Sequence, residues 1–93
     1  MVVGVIQVDL SIPAADSLKG KRMVLRSLKD RIRNNFNVSV AEIADNDQWT
    51  SATIGIATIC NDGRFANQVL SKVVDFIEKS RDVIVDDYSL TIL

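Results

Sequence analysis

From Val2 to Ile12 the chain alternates. Val2, Ile6, Val8, Leu10 and Ile12 stand on even positions with Gly4 among them, and Gln7, Asp9 and Ser11 stand on odd ones. Successive side chains of a strand point to opposite faces, so a period of two gives a strand with one face in a core. It also fixes register, because a slip of one residue would turn the whole apolar set toward water. Val3 and Val5 make the second face partly apolar as well, which suits a strand in the middle of a sheet. Pro13 ends it, since proline has no N–H to give to a sheet ladder.

After Pro13 the period changes. Asp16 or Ser17 can cap a helix, and Val24, Leu25, Leu28, Ile32 and Phe36 then form one apolar face of a helix ending near Phe36. Gly20 weakens its first turn by about 1 kcal/mol relative to alanine. Asn34, Asn35 and Asn37 suit a helix end and turn. Val38 to Ala44 reads as a second strand, Asp45 to Gln48 as a polar turn, and Trp49 to Cys60 as a third strand. In that third strand Ala52, Ile54, Ile56 and Cys60 are expected to face the helices, and Gly55, Ala57 and Ile59 to face away. Asn61-Asp62-Gly63 makes a turn. A second helix follows over about Arg64 to Ser80, with Phe65, Val69, Leu70, Val73, Phe76 and Ile77 on a wide apolar face and Asp75, Glu78 and Asp82 opposite. Val83 to Val85 opens a last strand that runs through Tyr88, Leu90 and Ile92.

The order β-α-β-β-α-β implies an α/β sandwich of the ferredoxin-like kind, a four-stranded antiparallel sheet with both helices on one face. The first and third strands, the most apolar on both faces, take the centre. Ninety-three residues suffice for a single domain spanning 1–93 and are too few for two cores.

Composition narrows the chemistry. There is no histidine and one cysteine, Cys60, so histidine-based acid–base catalysis, histidine triads, an internal disulfide and a cysteine-based metal site are all excluded. Cys60, in an apolar strand, reads as an inert core thiol. No catalytic constellation, cofactor motif or metal-ligand spacing stands out, and the expectation is a protein that binds rather than catalyses. Asp45, Asp47, Asp62, Asp86 and Asp87 do not match a calcium loop, and turn chemistry accounts for the first three. No apolar run is long enough to span a bilayer, and the N-terminus lacks the basic start of a signal peptide, so the expected location is the cytoplasm, without membrane contact.

Charge is the strongest functional signal. Residues 18–36 hold seven bases and one acid, a local net of +6 in a chain whose overall charge is −1. Lys19, Arg22, Arg26, Lys29 and Arg33 follow at spacings of 3, 4, 3 and 4, within an arc of about 80° on a helix. Lys21 and Arg31 lie off this ridge. Five cations in a row fit a run of phosphates, where arginine offers a forked donor and lysine a point charge. The rival explanation is a solvated flank, neutralised by Arg26–Asp30 and Asp30–Arg33 pairs and by the acids of the second helix.

The sheet is a poor place to read bases. RNA-recognition motifs stack bases on aromatics of the central strands, but the first strand here has none and the third has only Trp49 at its start. Trp49 is expected to close the core, with an interface anchor as the other option. An acylphosphatase reading fails at Ile12-Pro13-Ala14-Ala15-Asp16-Ser17, which has no arginine and no glycine to cradle an anion. The open sheet face, with Val3, Val5, Gly55, Ala57 and Ile59, is apolar enough to suggest homodimerisation through it.

The run Leu18-Lys-Gly-Lys-Arg-Met-Val-Leu-Arg-Ser-Leu-Lys-Asp-Arg-Ile-Arg-Asn-Asn-Phe-Asn-Val-Ser-Val-Ala-Glu42, with Trp49 and the small-residue strand Ala52-Thr-Ile-Gly-Ile-Ala57, resembles the bacterial YlxP-like family. The resemblance covers nearly the whole chain; Gly20 departs from it, standing where a bulkier or charged residue is usual. It implies a ferredoxin-like domain of uncharacterised function, and a gene neighbourhood of translation-initiation and ribosome-maturation genes. It therefore implies a role linked to RNA or the ribosome, with Lys19, Lys21, Arg22 and Glu42 at matching positions. The reading is a non-enzymatic RNA- or ribosome-associated protein that contacts phosphates through Lys19, Arg22, Arg26, Lys29 and Arg33. The alternative is a homodimeric protein-interaction module.

Overall fold

The computed structural model describes residues 1–44 and 46–93. The elements follow in the order β1 (Val2–Ser11), α1 (Leu18–Asn35), β2 (Ser39–Ala44), β3 (Ser51–Cys60), α2 (Gly63–Glu78) and β4 (Ile84–Ile92). The strands form one sheet in the order β2-β3-β1-β4, with every neighbouring pair antiparallel. This is the ferredoxin-like arrangement, with β1 and β3 in the middle.

The alternation in β1 sets the register. Ile6 lies opposite Ile56, Val8 opposite Ile54 and Leu10 opposite Ala52, so the even residues of both strands share a face. That face meets Leu25, Leu28 and Ile32 of α1 and Leu70, Val73, Val74 and Ile77 of α2 in one buried cluster. Phe36 and Phe76 join it edge to face, with ring centroids 5.6 Å apart. Gly4 lies close under α2: a Cβ there would stand 2.9 Å from Leu70 Cδ1 and 3.2 Å from Ala66 Cβ. A larger residue would force Leu70 and Ala66 to shift.

Helix ends obey local chemistry. Ser17 Oγ accepts from the Gly20 N–H at 3.0 Å, and Asp62 Oδ1 accepts from the Arg64 N–H at 3.0 Å. Both outer strands carry a bulge. In β2 the partners of Thr53 and Ile54 are Ala44 and Glu42, which leaves Ile43 over; in β4 the step from Asp87 to Val85 leaves Asp86 over.

Several expectations are corrected. β3 begins at Ser51 and not at Trp49, because the last rung with β1 pairs Ser11 with Ser51 and Pro13 cannot extend the ladder. Trp49 is 53% exposed and does not close the core. Cys60 is only partly buried, and its thiol donates to the Asp62 carbonyl at 3.1 Å, as the strand end opens into the turn. Phe65, expected on the apolar face of the second helix, is 55% exposed in the first turn of α2. Of the expected turn at 45–48, Asp45 lies outside the described residues.

Candidate nucleic-acid interface

Helix α1 lies on the sheet through a stripe made by Lys21, Leu25, Leu28 and Ile32. The spacing 4, 3, 4 brings these side chains into one line, which makes Lys21 the polar member of an otherwise apolar row. It is 1% exposed, and its Nζ lies 3.0 Å from Glu42 Oε2 on β2. Glu42 sits on the helix-facing side because it is in phase with Val40 and opposite Ile54. The contact is an ion pair, and among the described residues that oxygen accepts no well-aligned hydrogen bond. Lys21 and Glu42 are thus brought together inside the molecule as a clamp between α1 and the β2 edge.

The ridge starts one step round the helix from this clamp. Lys19, Arg22, Arg26 and Arg33 are exposed and Lys29 is half-buried. The ridge runs over the fourteen residue steps from Lys19 to Arg33, about 21 Å of helix axis. Its C-terminal end is anchored. Arg33 Nη2 donates to the Val40 carbonyl at 2.9 Å, and Nη1 lies 3.5 Å from Asp30 Oδ1. Asp30 therefore pairs with Arg33 and not with Arg26. Among the described residues, Lys19, Arg22, Arg26 and Lys29 have no carboxylate within ion-pair distance.

The position of α2 explains why. The two helices meet along the other flank of α1, where Ser27 and Arg31 line a groove with Phe76, Lys79, Ser80, Arg81 and Asp82. The body of α1 stands between that groove and the ridge. Asp75 and Glu78 of α2 and Asp82 beyond it form no ion pair with the ridge among the described residues, so they do not supply the neutralising partners that the solvated-flank reading requires. Arg31 belongs to this side, where its Nε donates to the Ser27 carbonyl at 3.3 Å.

The open sheet face divides into two halves. Val3, Val5, Ala57 and Ile59 form an apolar half, and the bulged Ile43 folds over Gly55, where a Cβ would come 3.3 Å from its Cδ1. At the other end Asp9 and Asp87 lie opposite each other. Thr53 Oγ1 donates to Asp9 at 3.0 Å and Ser11 Oγ donates to Asp86 at 2.5 Å. Among the described residues no group of acids and cysteine is arranged to hold a metal ion, and no helix is long and apolar enough to cross a membrane.

A family model described as a protein of unknown function, DUF503, matches residues 3–90. The chain belongs to the DUF503 family. It is also similar to the uncharacterized protein YlxP of Bacillus subtilis (strain 168), with 33% identity over 82 residues, which cover 88% of this chain and 89% of that protein. The YlxP-like resemblance of the helix-to-β2 run therefore extends across the DUF503 fold.

Sequence reasoning missed the Lys21–Glu42 clamp. The signal was present, since Lys21 shares the phase of Leu25, Leu28 and Ile32, and Glu42 shares the phase of Val40. Counted as one base among seven, Lys21 is hidden by its neighbours.

Proposed function

We propose that this protein binds RNA, free or in a ribosomal surface, through the basic flank of α1, without catalysing a reaction. The observation that supports this best is the set of four cations, Lys19, Arg22, Arg26 and Lys29, which have no carboxylate partner among the described residues and lie on the flank turned away from α2. Fixed charges of one sign on a rigid helix focus a field that attracts a polyanion. The family's gene neighbourhood, implied by the resemblance above, fits the same reading. Arg33 is partly committed to Val40 and Asp30, so four free cations, and not five, set the expected salt dependence. For single-stranded RNA the log–log slope of affinity against salt is then about −2.8. Replacing Arg22, Arg26 and Lys29 by Glu is expected to abolish retention of RNA while the circular dichroism spectrum stays that of the wild type. Undiminished RNA affinity in that variant would overturn the proposal.

A second reading is favoured by the apolar half of the open face, where Ile59 is 64% exposed beside Val3 and Val5. It is self-association of two copies through this face. Sedimentation of wild type against Val5→Lys separates the two. A dimer that the substitution dissociates supports the second reading, and a wild-type monomer at high concentration rejects it.

A further inference from the structure

At the C-terminal end of α1, on the side toward α2, lies a pocket that neither the charge pattern nor the family assigns. Round the C-terminal end of α1, two residues past Arg33, Asn35, Phe36 and Asn37 form one wall of a cavity of about 440 Å³, and Phe65, Gln68 and Lys72 of α2 form the other. The volume falls within the range of small-ligand pockets, about 300–1,000 Å³.

The lining has a definite chemistry. Phe65 presents an exposed ring, and Phe36 is held edge-on by Phe76. The side-chain amides of Asn37 and Gln68 make no hydrogen bond among the described residues, and Asn35 uses only its Nδ2, toward the Arg31 carbonyl at 2.8 Å. The walls are preformed. Thr58 Oγ1 donates to the Asn37 carbonyl at 3.2 Å and the Val38 N–H donates to the Phe36 carbonyl at 3.0 Å, which fixes the turn after α1. No acid lines the cavity, and Lys72 adds a cation at its rim.

An aromatic face, free amides and a basic rim together match one ligand, an unpaired base of single-stranded RNA. Such bases are recognised by stacking on aromatics and by hydrogen bonds to their edges, with cations on the adjoining phosphates. An apolar peptide would leave the amides unpaired, and a bare anion would leave the ring unused. We infer that this pocket receives a splayed-out nucleobase of the strand whose phosphates run along α1. The inference rests on the RNA-binding reading of the ridge and adds to it a site for the base.

The test compares fluorescently labelled rA6 and rU6 with an abasic hexamer of equal charge, by anisotropy. The wild type is expected to bind at least one base-bearing hexamer about tenfold more tightly than the abasic one. Phe65→Ala and Gln68→Ala, both at exposed positions, are expected to close that gap and leave abasic binding unchanged. Amide shifts of Thr58, Gln68 and Lys72 in NMR spectra should then move with the base-bearing hexamer only. If wild type binds all hexamers equally, or Phe65→Ala keeps the gap, the base pocket is overturned and the ridge reading stands. If no hexamer binds the wild type at all, both fall.

Discussion

Lys21 shows how one residue changes its meaning with its surroundings. In sequence it is a base in a basic run; in the fold it is the buried cation of the Lys21–Glu42 pair. Removing one member of a buried pair leaves a charge in a poor environment, which commonly costs about 3–5 kcal/mol. Lys21→Ala is therefore expected to destabilise the domain by about 3 kcal/mol in urea unfolding. Lys21→Met with Glu42→Leu should recover much of that loss, because an apolar pair of similar volume avoids the desolvation of both charges. If Lys21→Ala unfolds at the wild-type midpoint, the clamp carries no stability. Trp49 carries the opposite lesson. At 53% exposure, Trp49→Ala should shift stability by less than about 1 kcal/mol. The two were missed for different reasons. Lys21 shares the helical phase of Leu25, Leu28 and Ile32 and was hidden among its basic neighbours, whereas the exposure of Trp49 depends on where the β1–β3 ladder stops, at the Ser11–Ser51 rung.

At the scale of elements, the sequence was most informative where one period ran uninterrupted. The alternation from Val2 onward placed β1 correctly at the centre of the sheet, and the 3.6-residue rhythm placed both helices within a few residues of their ends. It also located the ridge, since five bases at helical spacing stay on one flank wherever the helix packs. It could not say which flank faces α2, because that follows from the angle at which two helices share a sheet. The tie between Arg33 and the Val40 carbonyl was equally invisible, because it joins a helix to a strand through a backbone atom. Two outcomes follow for α1. Arg33→Ala should weaken RNA retention less than Arg22→Ala does, and it should speed hydrogen exchange in β2, where the helix no longer holds the backbone. Equal loss of retention in both variants, with exchange in β2 unchanged, would show that Arg33 serves the ligand and not the strand.

For the whole molecule, the important fact is that both helices and strands β1, β2 and β3 contribute to one buried cluster, against which Val85 and Leu90 of β4 pack. Unfolding should therefore be a single transition. Leu70→Ala, at a fully buried position, should cost about 2–5 kcal/mol and shift the helical and near-ultraviolet signals together. Two separated transitions would contradict a shared core. The rims of the sheet carry a different consequence. β2 is short and broken at Ile43, with Arg33 resting on its backbone, and β4 is broken at Asp86 beside Asp87. An arriving strand meets a bulge on each side, near the end of β2 and near the start of β4, and at the β4 bulge it also meets carboxylates. The sheet is thus finite by construction. Where the bulges lie, the rims are poor templates for a strand of a second copy.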